Sequence, residues 1–322
     1  MIRISYHASH EQFAPRELMG YAVQAEDAGW DAVFSSDHIQ PWSPEQGQSG
    51  FVWAWIGAAL QATRRVQFSC ITVPGGWRYP PAVSAQAIAT LGELFGHRFP
   101  HVVLGSGEAL NECVVGAGWP SKDLRAARLD EAAMVIRRLL AGEQVTHSGE
   151  LKTENARLWS RPSVAPKLFG AALTAATAAR VSTWADGLVM ASPDLGAMKE
   201  IVAAFRRARP HEPIHAKIDL SWAPTESDAL DQAYEQWRMH CLDRDSLHNL
   251  RTPEEFEQAA RDVERDEIRR VVLVSSDLAQ HVRWLRERIE MGITCLDLHN
   301  VGRNQEEFIR AFGAGVLPVL RS

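Results

Sequence analysis

Short apolar runs alternate with amphipathic helical stretches along the whole chain, and this rhythm restricts the fold more than any other feature. Runs at residues 2–7, 32–36, 66–73, 101–105, 168–172, 187–192, 214–222 and 294–299 read as eight buried strands. Between them, apolar residues at helical spacing mark helices over 15–29, 51–62, 81–95, 125–141, 174–184, 195–207, 227–241, 253–263, 278–290 and 306–320. The first has Pro15 at its start and Gly29 at its stop. In 125–141, Leu129, Ala132, Ala133, Ile136, Leu139 and Leu140 make one apolar stripe. Eight parallel strands joined by helices predict an α/β fold, a (β/α)8 TIM barrel that takes up residues 1–322 as one domain. Insertions interrupt the rhythm after the fourth and seventh strands. In the first of them Val145-Thr146-His147 and Leu151-Lys152-Thr153 flank Ser148-Gly149-Glu150, the pattern of a small hairpin. The short apolar run 271–275 is surplus to the eight. A doubly wound sheet is the alternative, but no GxGxxG follows the first strand, which argues against a dinucleotide-binding version of it.

Composition then removes whole classes of function. The net charge is -6 over 322 residues, with acids and bases mixed and no basic stripe, so no nucleic-acid partner is expected. No apolar run approaches the roughly 18 residues that span a bilayer. The chain enters a strand pattern directly from Met1, without a signal-peptide core. A cytoplasmic protein with no membrane partner is the expectation. Cys70, Cys113, Cys241 and Cys295 lie far apart with no CxxC, so neither a disulfide framework nor a metal site is expected, and all four read as small buried hydrophobes.

In a barrel the chemistry belongs at the C-terminal strand ends. The first strand delivers His7, the second Asp37 and His38, and the third Cys70 to Gly76, then Trp77-Arg78-Tyr79. Ser106, Gly107, Glu108 and Asn111 follow the fourth, Gly170-Ala171-Ala172 the fifth, and Ser192 the sixth; His299, Asn300 and Arg303 follow the last. His38 is the best general base, because an imidazole titrates near working pH. Glu108 is the best general acid if burial raises its pKa. The other reading of both stays open at this level: His38 capping the next helix, Glu108 in a structural ion pair. Trp42, Trp53, Trp55 and Trp77 suit a flat ring ligand and equally suit a core. The glycines at 75–76 and 105–107 allow close backbone approach to a ligand and also serve as plain turns. His10, His97, His147, His211 and His240 have no partner pattern and read as surface residues.

Several motifs occur together: His10-Glu11-Gln12-Phe13-Ala14-Pro15, Ser36-Asp37-His38, Gln40-Pro41-Trp42, Arg78-Tyr79-Pro80-Pro81-Ala82-Val83 and Gly105-Ser106-Gly107-Glu108-Ala109-Leu110-Asn111-Glu112. With them the chain resembles the bacterial luciferase-like superfamily of flavin and deazaflavin oxidoreductases, nearest to the glucose-6-phosphate dehydrogenases that use the deazaflavin coenzyme F420. The resemblance implies a barrel holding an isoalloxazine-type ring at its mouth, usually in a homodimer. It places Asp37 against the ring, His38 as the base that takes a substrate hydroxyl proton, and Trp42 on the substrate. Glu108 would protonate or steady the reduced system, and Ser106, Gly107 and Asn111 would contact the cofactor. Cys70-Ile71 falls where the family often has a non-proline cis peptide supporting the ring. Ala171, Ala172 and Thr174 stand at the cofactor-phosphate loop, where relatives carry a Gly-Gly pair, and Thr174 can cap the next helix.

Departures from the sugar-phosphate dehydrogenases bear on substrate. Where they bind phosphate with a threonine, two lysines and an arginine, this chain has Ala191, Asp194, Leu247 and a retained Arg270. An acid in place of a lysine repels a phosphate dianion. Arg270, His299 and Asn300 are the expected substrate-binding residues. Ser5 to Phe13 and Leu298 to Gln305 resemble a branch thought to use FMN. The leading expectation is therefore an FMN-dependent hydride-transfer or monooxygenase enzyme acting on a small organic molecule. The alternatives are an F420-dependent dehydrogenase not specific for glucose 6-phosphate, and a barrel that binds flavin without turnover.

Overall fold

The structure is a computed structural model that describes residues 2–192 and 194–322. Its strands are β1 (Arg3–Ala8), β2 (Ala32–Ser36), β3 (Gln67–Thr72), β4 (His101–Leu104), β5 (Val145–Ser148), β6 (Lys152–Ala156), β7 (Lys167–Ala172), β8 (Leu188–Ala191), β9 (Ile214–Ser221), β10 (Leu273–Val274) and β11 (Cys295–Asn300). The parallel order β1-β2-β3-β4-β7-β8-β9-β11 returns to β1 through pairs such as Tyr6 with Leu298, which closes an eight-stranded (β/α)8 barrel. β5 and β6 form the expected antiparallel hairpin inside the insertion after β4. The surplus strand β10 pairs only with Leu220 and Ser221, beyond the point where β8 leaves β9 at Ala191 and Lys217. No described helix is long and apolar enough to cross a membrane.

Alternation along each strand sorts side chains between two compartments. On β9, Ile214, Ala216, Ile218 and Leu220 join the main apolar core between sheet and helices. The isoleucines and the leucine, fully buried, each contribute about 1.5–3 kcal/mol relative to exposure. Lys217 and Asp219, the intervening residues, face the barrel interior and line the cavity at its mouth. Below that cavity Phe34, Val103, Phe169 and Val189 form a separate apolar plug inside the barrel.

Element ends differ from expectation where local chemistry intervenes. The helix expected over 306–320 is two helices, Gln305–Gly315 and Leu317–Arg321, with Pro318 unable to donate to a continuous turn. The helix expected from residue 125 begins at Lys122, where the Ser121 hydroxyl accepts from the Leu124 amide at 3.4 Å. The stretch 227–241 is α-helical only over Glu226–Trp237 and tightens to a 3-10 turn at Arg238–Cys241. Two short helices, Ala109–Glu112 and Arg244–Asn249, carry no sequence period long enough to announce them. All four cysteines are free; Cys70 and Cys295 are buried as expected, whereas Cys113 and Cys241 are partly exposed.

Candidate active site at the barrel mouth

A cavity of about 540 Å³ opens at the C-terminal ends of the strands. Glu11, from the loop after β1, and His38, from the loop after β2, meet there because the two strands are register neighbours. His38 Nδ1 lies 2.6 Å from Glu11 Oε1, close but not aligned as a hydrogen bond. The second Glu11 oxygen accepts from Ser9 Oγ at 2.7 Å. On the other side of the ring, His38 Nε2 is 3.9 Å from Glu108 Oε2. Burial opposes charge on His38, but the Glu11 and Glu108 carboxylates outweigh it and raise the imidazole pKa above 6.5. Burial likewise works against the Glu11 carboxylate, yet His38 holds it well below the carboxylate range. Glu108 goes the other way: burial raises its pKa, and His38 only partly compensates. The pair expected from sequence thus shares one cavity, with both pKa values raised.

Asp37 is held differently. Its Oδ2 accepts from Thr72 Oγ1 at 2.7 Å, and its Oδ1 accepts from Arg78 Nη1 at 3.0 Å and Tyr79 Oη at 3.1 Å. Arg78 also pairs with Glu112 at 3.1 Å, and its side chain is 6% exposed. Asp37 does line the cavity, but its carboxylate is spent on holding the Arg78 loop in place.

The wall formed by β9 and β11 contains a second relay. Lys217 pairs with Asp219, whose Oδ1 lies 2.9 Å from His299 Nδ1, while His299 Nε2 is 3.1 Å from Gln12 Oε1. Burial lowers the His299 pKa to about 3, so the ring is a neutral strut. His7 Nδ1 pairs with Asp297 Oδ2 at 2.7 Å beneath it. Neither Lys217 nor Asp219 was expected in the site; the signal was a polar residue at alternate positions in an otherwise apolar buried strand. Trp42 packs edge-on to His38 with centroids 5.5 Å apart and against His240 at 4.8 Å. His240 stacks on Trp237 at 4.0 Å, and burial lowers its pKa to about 3. His240 and His10 are therefore not surface residues: His10 is buried against Trp55 at 4.8 Å, and burial brings its pKa to about 4.

Ser106, Gly107, Asn111, Ile71, Ala171, Ala172 and Thr174 all line the cavity, as expected of cofactor contacts. Asn111 Oδ1 accepts from the Ile39 amide at 2.9 Å, while Nδ2 is buried without an aligned partner. Gly107 has φ +81, and a Cβ there would sit 2.9 Å from Glu112 Cγ, so no other residue turns this loop without strain. Thr174 Oγ1 caps helix Ala175–Val181 by accepting from the Thr177 amide at 3.2 Å. Lys122, Arg125 and Arg244 line the cavity near His248 and form no ion pair among the described residues. These cations come from the two insertions, and their convergence had no signal in sequence.

Four expected positions need correction. Cys70 turns away from the cavity into the sheet–helix core, since only the alternate residue Ile71 faces inward. No described peptide bond is cis, so Cys70-Ile71 is trans, as its regular pairing of Ser36 with Ile71 and Ile71 with Val103 requires. Arg270 leaves the site: its side chain is 67% exposed and bound to Glu267. His299 stands behind the cavity lining, and Asn300 is consumed by the Trp222 amide and Asn304.

A parallel barrel that brings an imidazole, carboxylates and unpaired cations to its C-terminal face has the groups to hold an isoalloxazine-type cofactor with an anionic tail, and its relatives make it a flavin- or deazaflavin-dependent oxidoreductase. The chain belongs to the luciferase-like monooxygenase family, which matches residues 1–295. It is 34% identical over 334 residues to the F420-dependent glucose-6-phosphate dehydrogenase of Intrasporangium calvum, covering 100% of this chain and 99% of the relative. It is 33% identical over 335 residues to the enzyme of the same name from Amycolatopsis mediterranei, covering 100% and 99%. Among solved structures, an F420-dependent secondary alcohol dehydrogenase in complex with an F420-acetone adduct superposes with TM-score 0.91 at 29% identity, covering 100% of this chain and 99% of that one. These relatives are named for F420, which favours the deazaflavin expectation over FMN.

Proposed function

We propose that this chain is an F420-dependent alcohol dehydrogenase whose substrate is a secondary alcohol other than glucose 6-phosphate. The observation that carries this reading is the convergence of Glu11, His38 and Glu108 on one cavity, in a chain whose relatives act with F420. Bound at this mouth, F420 supplies a two-electron hydride acceptor without oxygen chemistry. Lys122, Arg125 and Arg244 would hold its anionic tail, and Ser106, Gly107 and Asn111 its ring. His38 takes the substrate hydroxyl proton at Nε2, the nitrogen not engaged by Glu11. Glu11 stabilises the resulting imidazolium, much as a buried carboxylate orients a catalytic histidine elsewhere. Glu108, whose pKa burial raises, lies 3.9 Å from His38 Nε2 and faces the charge that develops there.

The substrate end is apolar: Trp42, Trp237, Leu242, Leu247 and Leu273 line it. Ala191 and Leu247 offer no charge to a sugar phosphate, Arg270 points elsewhere, and Asp194 is used to cap helix Leu195–Arg206. The test is direct. Protein mixed with F420 and 2-butanol should bleach the F420 absorbance, and glucose 6-phosphate should not replace the alcohol. Purification of a yellow protein carrying a ligand of FMN mass, with no bleaching of added F420, would overturn the proposal.

A further inference from the structure

The cavity does not end at the inner wall of the barrel. Val189 and Lys217 line it from inside, and so do their neighbours Met190 and Ile218, which belong to the opposite face of the sheet. β8 stops at Ala191 while β9 continues to Ser221, so the space passes over the short strand into the layer between sheet and helices. There Val271 and Leu273 line it, together with Arg288 from helix Leu278–Ile289.

Arg288 is 2% exposed. Its Nη1 donates to the Trp284 carbonyl at 2.9 Å, and Nε has no partner. Nη2 forms no hydrogen bond among the described residues, and the carboxylate nearest the guanidinium, Glu287, places Oε2 4.0 Å from Nη1 on a half-exposed side chain. Two other buried positions of the same helix, Val282 and Leu285, are aliphatic and belong to the core. A guanidinium buried without a hydrogen-bonded counter-ion is heavily penalised, so an aliphatic residue would serve the fold better. The free Nε and Nη2 form the edge of the guanidinium that receives a carboxylate through two parallel bonds.

We propose that this arm is a carboxylate subsite, and that the alcohol substrate carries, beyond an apolar stem, a terminal carboxylate received by Arg288. The proposal rests on the alcohol dehydrogenase reading for the substrate's other end. It uses none of the positions at which the sugar-phosphate dehydrogenases bind phosphate. One guanidinium among Met190, Ile218, Val271 and Leu273 matches a monoanion on a hydrocarbon stem; a phosphate dianion calls for more donors. Lys217 is not a second donor, being paired with Asp219.

Binding without cofactor tests the subsite separately from turnover. Octanoate should raise the melting temperature of the wild-type protein, and octanamide, its neutral counterpart, should do so less. In Arg288→Met the affinity for octanoate should fall about 10- to 100-fold, the range expected for hydrogen bonds to a charged group, and Arg288→Lys should recover part of it. Without ligand, Arg288→Met should melt at or above the wild-type temperature, since it removes an unpaired buried charge. Equal protection by octanoate and octanamide, undiminished octanoate affinity in Arg288→Met, stronger protection by inorganic phosphate, or a lower melting point of ligand-free Arg288→Met would each overturn the proposal. None of these measurements involves F420, so failure of the F420 reading would leave their outcome unaffected.

Discussion

Two clusters of buried charge stand side by side at the barrel mouth, and they are completed to different degrees. Around Arg78 every charged group has its partners: Asp37 is bound by Thr72, Arg78 and Tyr79, and Glu112 by Arg78. The Arg78, Asp37 and Glu112 side chains are 6%, 0% and 0% exposed. Around His38 the contacts are close but incomplete, with a misaligned 2.6 Å approach to Glu11 and a 3.9 Å gap to Glu108, whose side chain is 29% exposed. A completed network fixes a loop, because any displacement breaks several charge-assisted bonds together. An incomplete one leaves a proton free to move. The difference separates the scaffold of the site from its chemistry.

Substitutions should respect that division. His38→Ala should lower the single-turnover rate of F420 bleaching about 10²- to 10⁴-fold, the usual worth of a positioned base, while urea denaturation shows a smaller loss than in Arg78→Met, because one buried carboxylate, Glu11, loses its partner instead of two. Arg78→Met should do the reverse in kind. It strands two buried carboxylates, and the unfolding free energy should fall by about 3–5 kcal/mol, read from the same urea titration. A stable Arg78→Met protein with ordinary melting would erase the distinction between the clusters. The smallest effect is a shift in pH. Alcohol oxidation needs neutral His38, so kcat/KM should rise as pH increases through a His38 pKa that lies above 6.5. Glu11→Gln removes the carboxylate that raises this pKa, and the acidic limb of the profile should move to lower pH. Stability follows the same linkage. The raised His38 pKa stabilises the fold below the unfolded value of about 6.5 and ceases to do so as pH passes the folded value. The depressed Glu11 pKa stabilises it above the unfolded value of 4.5 and loses effect as pH falls. The stability difference between wild type and Glu11→Gln should therefore be greatest in the window from above pH 4.5 to near 6.5 and shrink on either side.

Much of this is legible in the sequence. The apolar runs located all eight barrel strands, and the surplus run at 271–275 is indeed outside the closed ring. His38, Trp42 and Glu108 were readable because each follows a strand directly. Glu11 lies within the motif from His10 to Pro15, yet its approach to His38 depends on a loop path that brings it back over the neighbouring strand. Cys70 was misassigned by a single step of alternation. His10 and His240 were misread because burial against Trp55 and Trp237 comes from segments far away in the chain.

Sequence alone determined the barrel, its order and the ring of polar residues at its rim, since side-chain periods of about 2 and 3.6 residues are local properties of strand and helix. Tertiary structure decided which of those polar residues meet. The Glu11–His38 approach, the Lys217–Asp219–His299 relay and the isolated Arg288 each depend on distance and burial between segments remote in sequence. Electrostatic energy is set by those two quantities, and no local pattern encodes either of them.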